Sequence, residues 1–294
     1  MSISVVIPAF DEGSGIDECL RHLSRQGDEV LEIVVVDNAS TDDTADRVRA
    51  AAVDDPRIRL LHEPTPGVAH ARYRGFAEAR GDLIASVDSD TLVGTGWASA
   101  IAETFGDHPS VMAGTAPIPL WDLPFQGRYR RRNARLDRAA RRGLGTGRPV
   151  LAPGLSGANS VIRRSAWTEI ADEVSVRGDV FEDLDRWLLL RAHGHAAIVV
   201  PGMSAVVSGR RLLTGPRSFV RYAACGPRTY ALHHQWRMFA VSLLMDTATF
   251  VLTMAKLPVN RAWDPAARRF SVARIIDRAI DHRASPIGRA QNPR

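Results

Sequence analysis

The stretch Leu83–Leu92, LIASVDSDTL, decides how this chain is read. A short apolar run ends on Asp88-Ser89-Asp90. In an extended strand, residues i and i+2 lie about 6–7 Å apart and point the same way. Two carboxylates so placed repel unless something positive sits between them: a metal ion, a substrate group or water-screened counterions. Hard cations such as Mg²⁺ or Mn²⁺ take oxygen ligands, and Mg²⁺ is commonly held by one or two carboxylates plus substrate phosphates. A lone D-x-D is a weak signal, since solvated loop acids explain most cases. Its value rises when it follows a buried parallel strand.

Working outward, the first 115 residues alternate regularly. Apolar β-type runs at Ile3–Ile7, Leu31–Val36, Ile58–Leu61, Leu83–Val87 and Val111–Thr115 are separated by helix-type segments at Ile16–Arg25, Thr41–Ala52, Val68–Ala79 and Trp97–Phe105. Such alternation predicts an α/β fold with a mostly parallel central sheet flanked by helices. Ligands of open sheets bind beyond the carboxyl ends of the strands. The residues there are Pro8–Glu12, Asp37–Thr41 and Asp88–Asp90, so acids and small polar groups converge on one edge. NASTDD (Asn38–Asp43) also predicts a helix start with Ser40 or Thr41 as cap, which leaves Asp37 unexplained.

Beyond this half the pattern is less regular. LSGANSVIRRSAW (Leu155–Trp167) predicts a loop, a strand and a helix start. VFEDLDRWLLLRAHGH (Val180–His195) predicts a helix with Gly194 after its end. Met238–Leu257 is apolar and long, with Asp246 near its middle. A buried or oligomer-facing helix is the first expectation, an interfacial helix flanked by Trp236 and arginines the second, and a membrane span the third. The polar, Pro-containing C-terminus is expected to fray.

Composition narrows the classes. The formal charge is +5, and Arg128–Arg148 reads RYRRRNARLDRAARRGLGTGR. That stretch is a solvated helical face or loop, or a site for an anionic membrane or a phosphorylated substrate. Nucleic acid is set aside, because no aromatics interleave with the arginines. Cys19 and Cys225 have no metal-type spacing and predict a reducing compartment. ISVVIPAF enters a strand at once, with no basic segment before it, so no signal peptide is expected.

Five ordered signatures carry a resemblance: SVVIPAFDE, EIVVVDNASTDDT, PGVAHARYRGFAEARGDLIASVDSD, GANSVIRRSAW and EDLDRWLLLRAHGH. Over Ser4–Val207 the chain resembles the family 2 glycosyltransferases, inverting enzymes with the GT-A nucleotide-sugar-binding fold. The resemblance implies a nucleotide site of Pro8, Phe10, Glu12, Asp37, Arg72 and Asp88, with Asp37 on the base, commonly uracil. It implies a divalent metal, Mg or Mn, held by Asp90 with Asp88 beside it. Gly157, Ala158 and Asn159 match the loop between donor sugar and acceptor. Glu182-Asp183 match the catalytic pair, with Asp183 as the base. Departures are Asp11 and Tyr73, where the family often has Asn, and Ser208, where many members carry a metal-binding His; Arg210 and Arg211 follow it. The Q-x-x-R-W signature of processive synthases is absent, which implies single transfers.

The expected activity is transfer of a sugar from a nucleoside-diphosphate sugar, UDP-linked on the resemblance, to a hydroxyl acceptor. A nucleotidyltransferase would want a basic, Gly-rich loop after the first strand, and PAFDEGSG is acidic. A non-catalytic nucleotide-sugar-binding relative is the third reading. Residues 1–212 are expected to form the transferase domain, with a nucleotide-binding half over 1–115 and an acceptor half over 116–212. Residues 213–294 are expected to form a helical extension that meets a membrane or a second copy. The expected location is cytoplasmic, peripheral at the inner face of the membrane.

Overall fold

The protein is seen here as a computed structural model that describes residues 1–276. Strands β1 (Ile3–Ala9), β2 (Val30–Asp37), β3 (Ile58–His62) and β4 (Leu83–Val87) form the parallel part of the sheet. Nearly every residue of β1, β2 and β4 is buried, as a sheet covered on both faces requires. Helices α1 (Ile16–Ser24), α2 (Thr44–Asp54) and α3 (Val68–Glu78) are the crossovers between them. In α1 the buried residues are Ile16, Cys19, Leu20 and Leu23, one stripe at helical spacing. Packing of α3 on the sheet is close at Gly75, where a Cβ would lie 2.3 Å from Val6 Cγ1.

A short strand β5 (Thr91–Val93) and helix α4 (Trp97–Asp107) follow, then β6 (Ala113–Thr115), α5 (Gly127–Gly145), β7 (Asn159–Arg163) and α6 (Arg164–Ile170). After these come α7 (Glu182–Ala192), β8 (Ala197–Val199) and β9 (Ala205–Val207). The large sheet has the order β3-β2-β1-β4-β7-β6-β8. Within it β7 runs antiparallel to both β4 and β6. One pairing matters for function: Val87, the last residue of β4, faces Asn159, the first of β7. The loop entering β7 therefore lies beside the acids leaving β4. A separate β5–β9 pair brings the residues after β9 to the same place.

The core has two layers, one on each side of the sheet. One joins Ile7, Val35, Ala85 and α1 to Trp97, Ile101 and Phe105 of α4. The other joins Val6, Val34 and Ile84 to α3, Trp167 of α6 and Leu188 and Leu189 of α7.

Helices α8 (Pro216–Ala223), α9 (Cys225–Leu232) and α10 (Trp236–Ala262) complete the chain before a small hairpin, Trp263–Asp264 with Arg269–Phe270. Mean hydropathy of the most apolar part of α10 is 1.7, yet only 6% of that stretch is buried. Of the expectation of a buried or oligomer-facing helix, burial within the chain is therefore corrected: Leu243, Leu244, Met245, Val251 and Leu252 face outward. Asp246 accepts a hydrogen bond from Ser242 Oγ at 2.8 Å, which accommodates its charge within the helix. The end of the C-terminal tail expected to fray lies outside the described residues.

The helix start at NASTDD is also corrected. Helix α2 begins at Thr44 with Asp43 at the cap position, and neither Ser40 nor Thr41 caps it. These side chains bind the neighbouring loop instead. Ser40 Oγ accepts from the Asp11 amide at 3.1 Å, Asp42 Oδ2 from the Gly13 amide at 3.0 Å, and Thr44 Oγ1 from the Glu12 amide at 2.8 Å. In return Asp11 Oδ1 accepts from the Thr41 amide at 2.8 Å. Asp11 and Ala39 both have positive φ, +50° and +59°, so two tight turns are held against each other here.

Candidate active site

A cleft of about 910 Å³ opens at the carboxyl ends of β1 and β4. Pro8, Phe10 and Glu12 line one wall, Asp88 and Asp90 the floor, and Gly157, Ala158, Glu182 and Asp183 the far wall. Ser208, Arg210 and Arg211, brought in by the β5–β9 pair, close it from the C-terminal side.

Asp88 and Asp90 do not sit on an extended strand as expected. The strand stops at Val87, and the Thr91 amide bonds to the Asp88 carbonyl at 3.0 Å, making a turn. Both acids still line the cleft, but each has its own cation. Asp88 pairs with Arg72, and Asp90 Oδ2 lies 2.7 Å from Arg210 Nε. Arg210 also donates from Nη1 to Glu12 Oε2 at 2.8 Å. Burial foremost pushes Asp90 up to about 7; Arg210 pulls against this, while Asp88 and Glu12 add to it. A buried carboxylate crowded by two others is stabilised by added positive charge.

Arg72 is the hub of the other side. Its buried guanidinium meets Asp88, Ser86 Oγ and the Gly157 carbonyl, and its Nε lies 3.1 Å from Glu182 Oε1. Burial opposes the Arg72 charge, but Asp88, Glu182 and Asp183 outweigh it and hold its pKa above the ordinary value. Glu182 is pushed up, by burial first and by Asp183, with Arg72 opposing. Gly157 is required for this packing, because a Cβ there would lie 2.7 Å from Arg72 Nη1.

Asp183 sits in the first turn of α7, and its Oδ2 accepts from the Gly157 amide at 2.8 Å. It faces the cleft opposite the Asp88–Asp90 turn. Asp185 does not join it. That side chain is buried elsewhere, with Oδ1 2.7 Å from His233 Nε2 and Oδ2 accepting from the Ser175 amide at 2.9 Å.

Two expected site residues stand outside the lining. Asp37 ends β2 behind Asn38, with Oδ1 3.3 Å from the Ser40 amide and Oδ2 3.4 Å from His62 Nδ1. Asn159 is fully buried beneath its loop: Oδ1 accepts from Trp97 Nε1 at 2.9 Å, and Nδ2 donates to the Met203 carbonyl at 3.0 Å. Of the departures, Asp11 holds the Thr41 turn and Tyr73 packs edge-on against Trp167 at 5.6 Å. Ser208 donates to Asp122 Oδ2 at 2.5 Å. Sequence reasoning missed Phe181 and Tyr222, which line the cleft and meet edge-to-face at 4.8 Å, with Arg211 over the Tyr222 ring at 4.2 Å. They come from a loop and a helix far apart in sequence, and no local pattern marks them.

Asp88 and Asp90 supply carboxylate oxygens, the ligand type that a hard divalent cation takes, and each is paired with an arginine. Among the described residues no group of three or more His, Cys, Asp or Glu side chains forms a complete metal site. The carboxylates of Asp88 and Asp90 match the kind of site that a diphosphate's oxygens complete.

The family model for glycosyl transferase family 2 matches residues 4–170, and the chain belongs to that family. The glycosyltransferase GlyG of Streptococcus pneumoniae is 38% identical over 92 residues, 31% of either chain. An uncharacterized protein, MT1568 of Mycobacterium tuberculosis, is 34% identical over 202 residues, 64% of this chain and 61% of that one. The chain thus spans less than two thirds of these curated relatives. The mannosyltransferase PcManGT from Pyrobaculum calidifontis, solved in complex with GDP-Man and Mn²⁺, superposes with a TM-score of 0.57 at 19% identity, covering 93% of this chain and 84% of its own. S. aureus TarS in complex with UDP-GlcNAc gives 0.53 at 16% identity, over 83% and 72%. At such identities the likeness is one of fold, and the fold is GT-A.

Proposed function

We propose that this chain is an inverting glycosyltransferase that moves a sugar from a nucleoside-diphosphate sugar, UDP-linked, to a hydroxyl acceptor. The observation that carries it is the convergence of Asp88, Asp90, Arg72 and Asp183 on one cleft at the sheet edge. Family membership, and relatives named as glycosyltransferases, support the same reading. The two solved neighbours hold GDP-Man and UDP-GlcNAc, so either base is compatible with this fold. Uracil rests on the resemblance alone, since Asp37 stands behind Asn38 and outside the lining.

The acceptor oxygen bonds to the anomeric carbon as the bond from that carbon to the diphosphate oxygen breaks, and the electron pair leaves with the diphosphate. Asp183 takes the hydroxyl proton as general base. Its bond from the Gly157 amide fixes the carboxylate, and Gly157 in turn rests on Arg72. Asp90, with Asp88 beside it, would hold Mg²⁺ or Mn²⁺, which supplies Lewis-acid stabilisation of the leaving group when bound. Arg210 and Arg211 offer further positive charge toward the diphosphate. Glu182 neutralises Arg72 rather than meeting the acceptor. Residues 1–212 serve as the transferase unit, with donor residues before 115 and acceptor residues after it, and helices α8 to α10 form an extension that meets a membrane periphery or a second copy.

A thermal-shift series with UDP and GDP, with and without Mn²⁺, tests the reading, followed by hydrolysis of the matching nucleotide sugars. The expected result is a stabilisation by UDP that grows with Mn²⁺, as mass action on the folded state requires. No response to either nucleotide at millimolar concentration would remove the proposal.

A further inference from the structure

A second cavity, also of about 910 Å³, lies against α5. It shares Ile118, Leu120, Tyr129 and Arg132 with the candidate active site, so the two adjoin. Its cations are Arg128, Arg131, Arg132 and Arg135, a stripe at helical spacing along one face of α5, with Lys256 of α10 opposite. None of these five has a carboxylate partner among the described residues, whereas Arg141 of the same helix pairs with Asp137. Between the charges the wall is apolar: Ile118, Leu120, Phe125 and Tyr129. Lys256 belongs to the helix whose outer face exposes Leu243, Leu244, Val251 and Leu252.

We propose that this cavity binds the phosphate of a membrane lipid and presents that lipid's hydroxylated headgroup to the cleft as acceptor. The inference rests on the reading of the cleft as a transferase site. Unpaired guanidinium groups in a row suit phosphate oxygens, which they engage by paired hydrogen bonds. The apolar wall suits the first carbons of a lipid chain, which then runs out beside α10. An exposed apolar helix with Arg237 at one end and Lys256 and Arg261 at the other suits contact with an anionic bilayer, and Lys256 ties that helix to the cavity. A soluble sugar phosphate would use the arginines but leave the apolar wall and α10 without purpose.

The test is calorimetric binding of dihexanoyl phosphatidylglycerol, as monomer, to the full chain, against dihexanoyl phosphatidylcholine and glycerol 1-phosphate. The expected result is at least about tenfold preference for the phosphatidylglycerol over both. The Arg131→Glu/Arg135→Glu double variant should lose that preference while keeping nucleoside-diphosphate binding, since neither residue lines the donor cleft. Equal binding of the two lipids would overturn the anion site. Glycerol 1-phosphate binding as tightly as the lipid would overturn the lipid assignment. An unaffected double variant would overturn the placement in this cavity. If instead the wild type fails to bind any nucleoside diphosphate, the transferase reading itself fails.

Discussion

Arg210 Nε lies 2.7 Å from Asp90 Oδ2, and the same guanidinium holds Glu12 across the mouth of the cleft. A side-chain cation thus occupies Asp90, the acid that the proposed mechanism places first on the metal. Arg210→Ala should raise the affinity for Mn²⁺ alone, by removing this competitor, and lower it for the nucleoside diphosphate. Turnover should fall by about 10²-fold, the usual loss when one charge-stabilising group is removed. Electron paramagnetic resonance of free Mn²⁺ measures the first effect, and unchanged metal affinity would contradict it.

Asp183→Asn should reduce kcat by about 10²–10⁴-fold, the range for a lost general base, while leaving the KM for donor within a few-fold. Asp90→Asn should also abolish transfer, but for a different reason. It should make nucleotide binding insensitive to Mn²⁺ and to EDTA, whereas Asp183→Asn keeps that sensitivity. Calorimetry on both variants separates them, and normal turnover by Asp183→Asn would move the base elsewhere.

Gly157→Ala places a Cβ 2.7 Å from Arg72 Nη1, a guanidinium that Asp88, Ser86, Glu182 and the Gly157 carbonyl hold in place. Overpacking of this kind costs about 1–3 kcal/mol, or a fall in Tm of roughly 2–4 °C per kcal/mol. Displacing Arg72 also loosens Asp88, and the bond to Asp183 shifts with the loop, so kcat should drop further than stability alone explains. Scanning calorimetry alongside initial rates checks this. A variant with wild-type Tm and rate would mean that the corner has room.

The outward face of α10 should bring the chain to lipid. Flotation with vesicles containing phosphatidylglycerol is expected at low salt, with part of the binding surviving high salt because the apolar contact is not screened. Replacing Leu244 and Val251 by Asp should abolish the salt-resistant part. Wild-type protein that stays at the bottom of the gradient at low salt would remove the membrane contact.

Much of the donor side could be read from sequence because β1, β2 and β4 are buried on both faces and write themselves as continuous apolar runs. The bounds of Leu83–Val87 are legible for that reason, and Asp88 and Asp90 come directly after it. The geometry of the pair was not legible: a turn after Val87, closed by Thr91, replaced the expected strand. Ser40 and Thr41 look like caps in sequence, and only the neighbouring Asp11 loop shows why they are not. Asn159 and Asp37 carry the residue types of a site yet bond to Trp97, Met203, Ser40 and His62. Strands β5 and β9 are each 3 residues long, too short to announce themselves, and it is their pairing that delivers Arg210.

The reversed direction of β7 has one last implication. Neighbouring strands β6 and β7 are antiparallel, and everything from Ala116 to Ala158 is an excursion between them, α5 included. The part of that excursion before Ser156 avoids the Gly157 contacts with Arg72 and Asp183: a chimera carrying a relative's residues over 116–155 should adopt the relative's taste in recipients while continuing to recognise its own activated sugar.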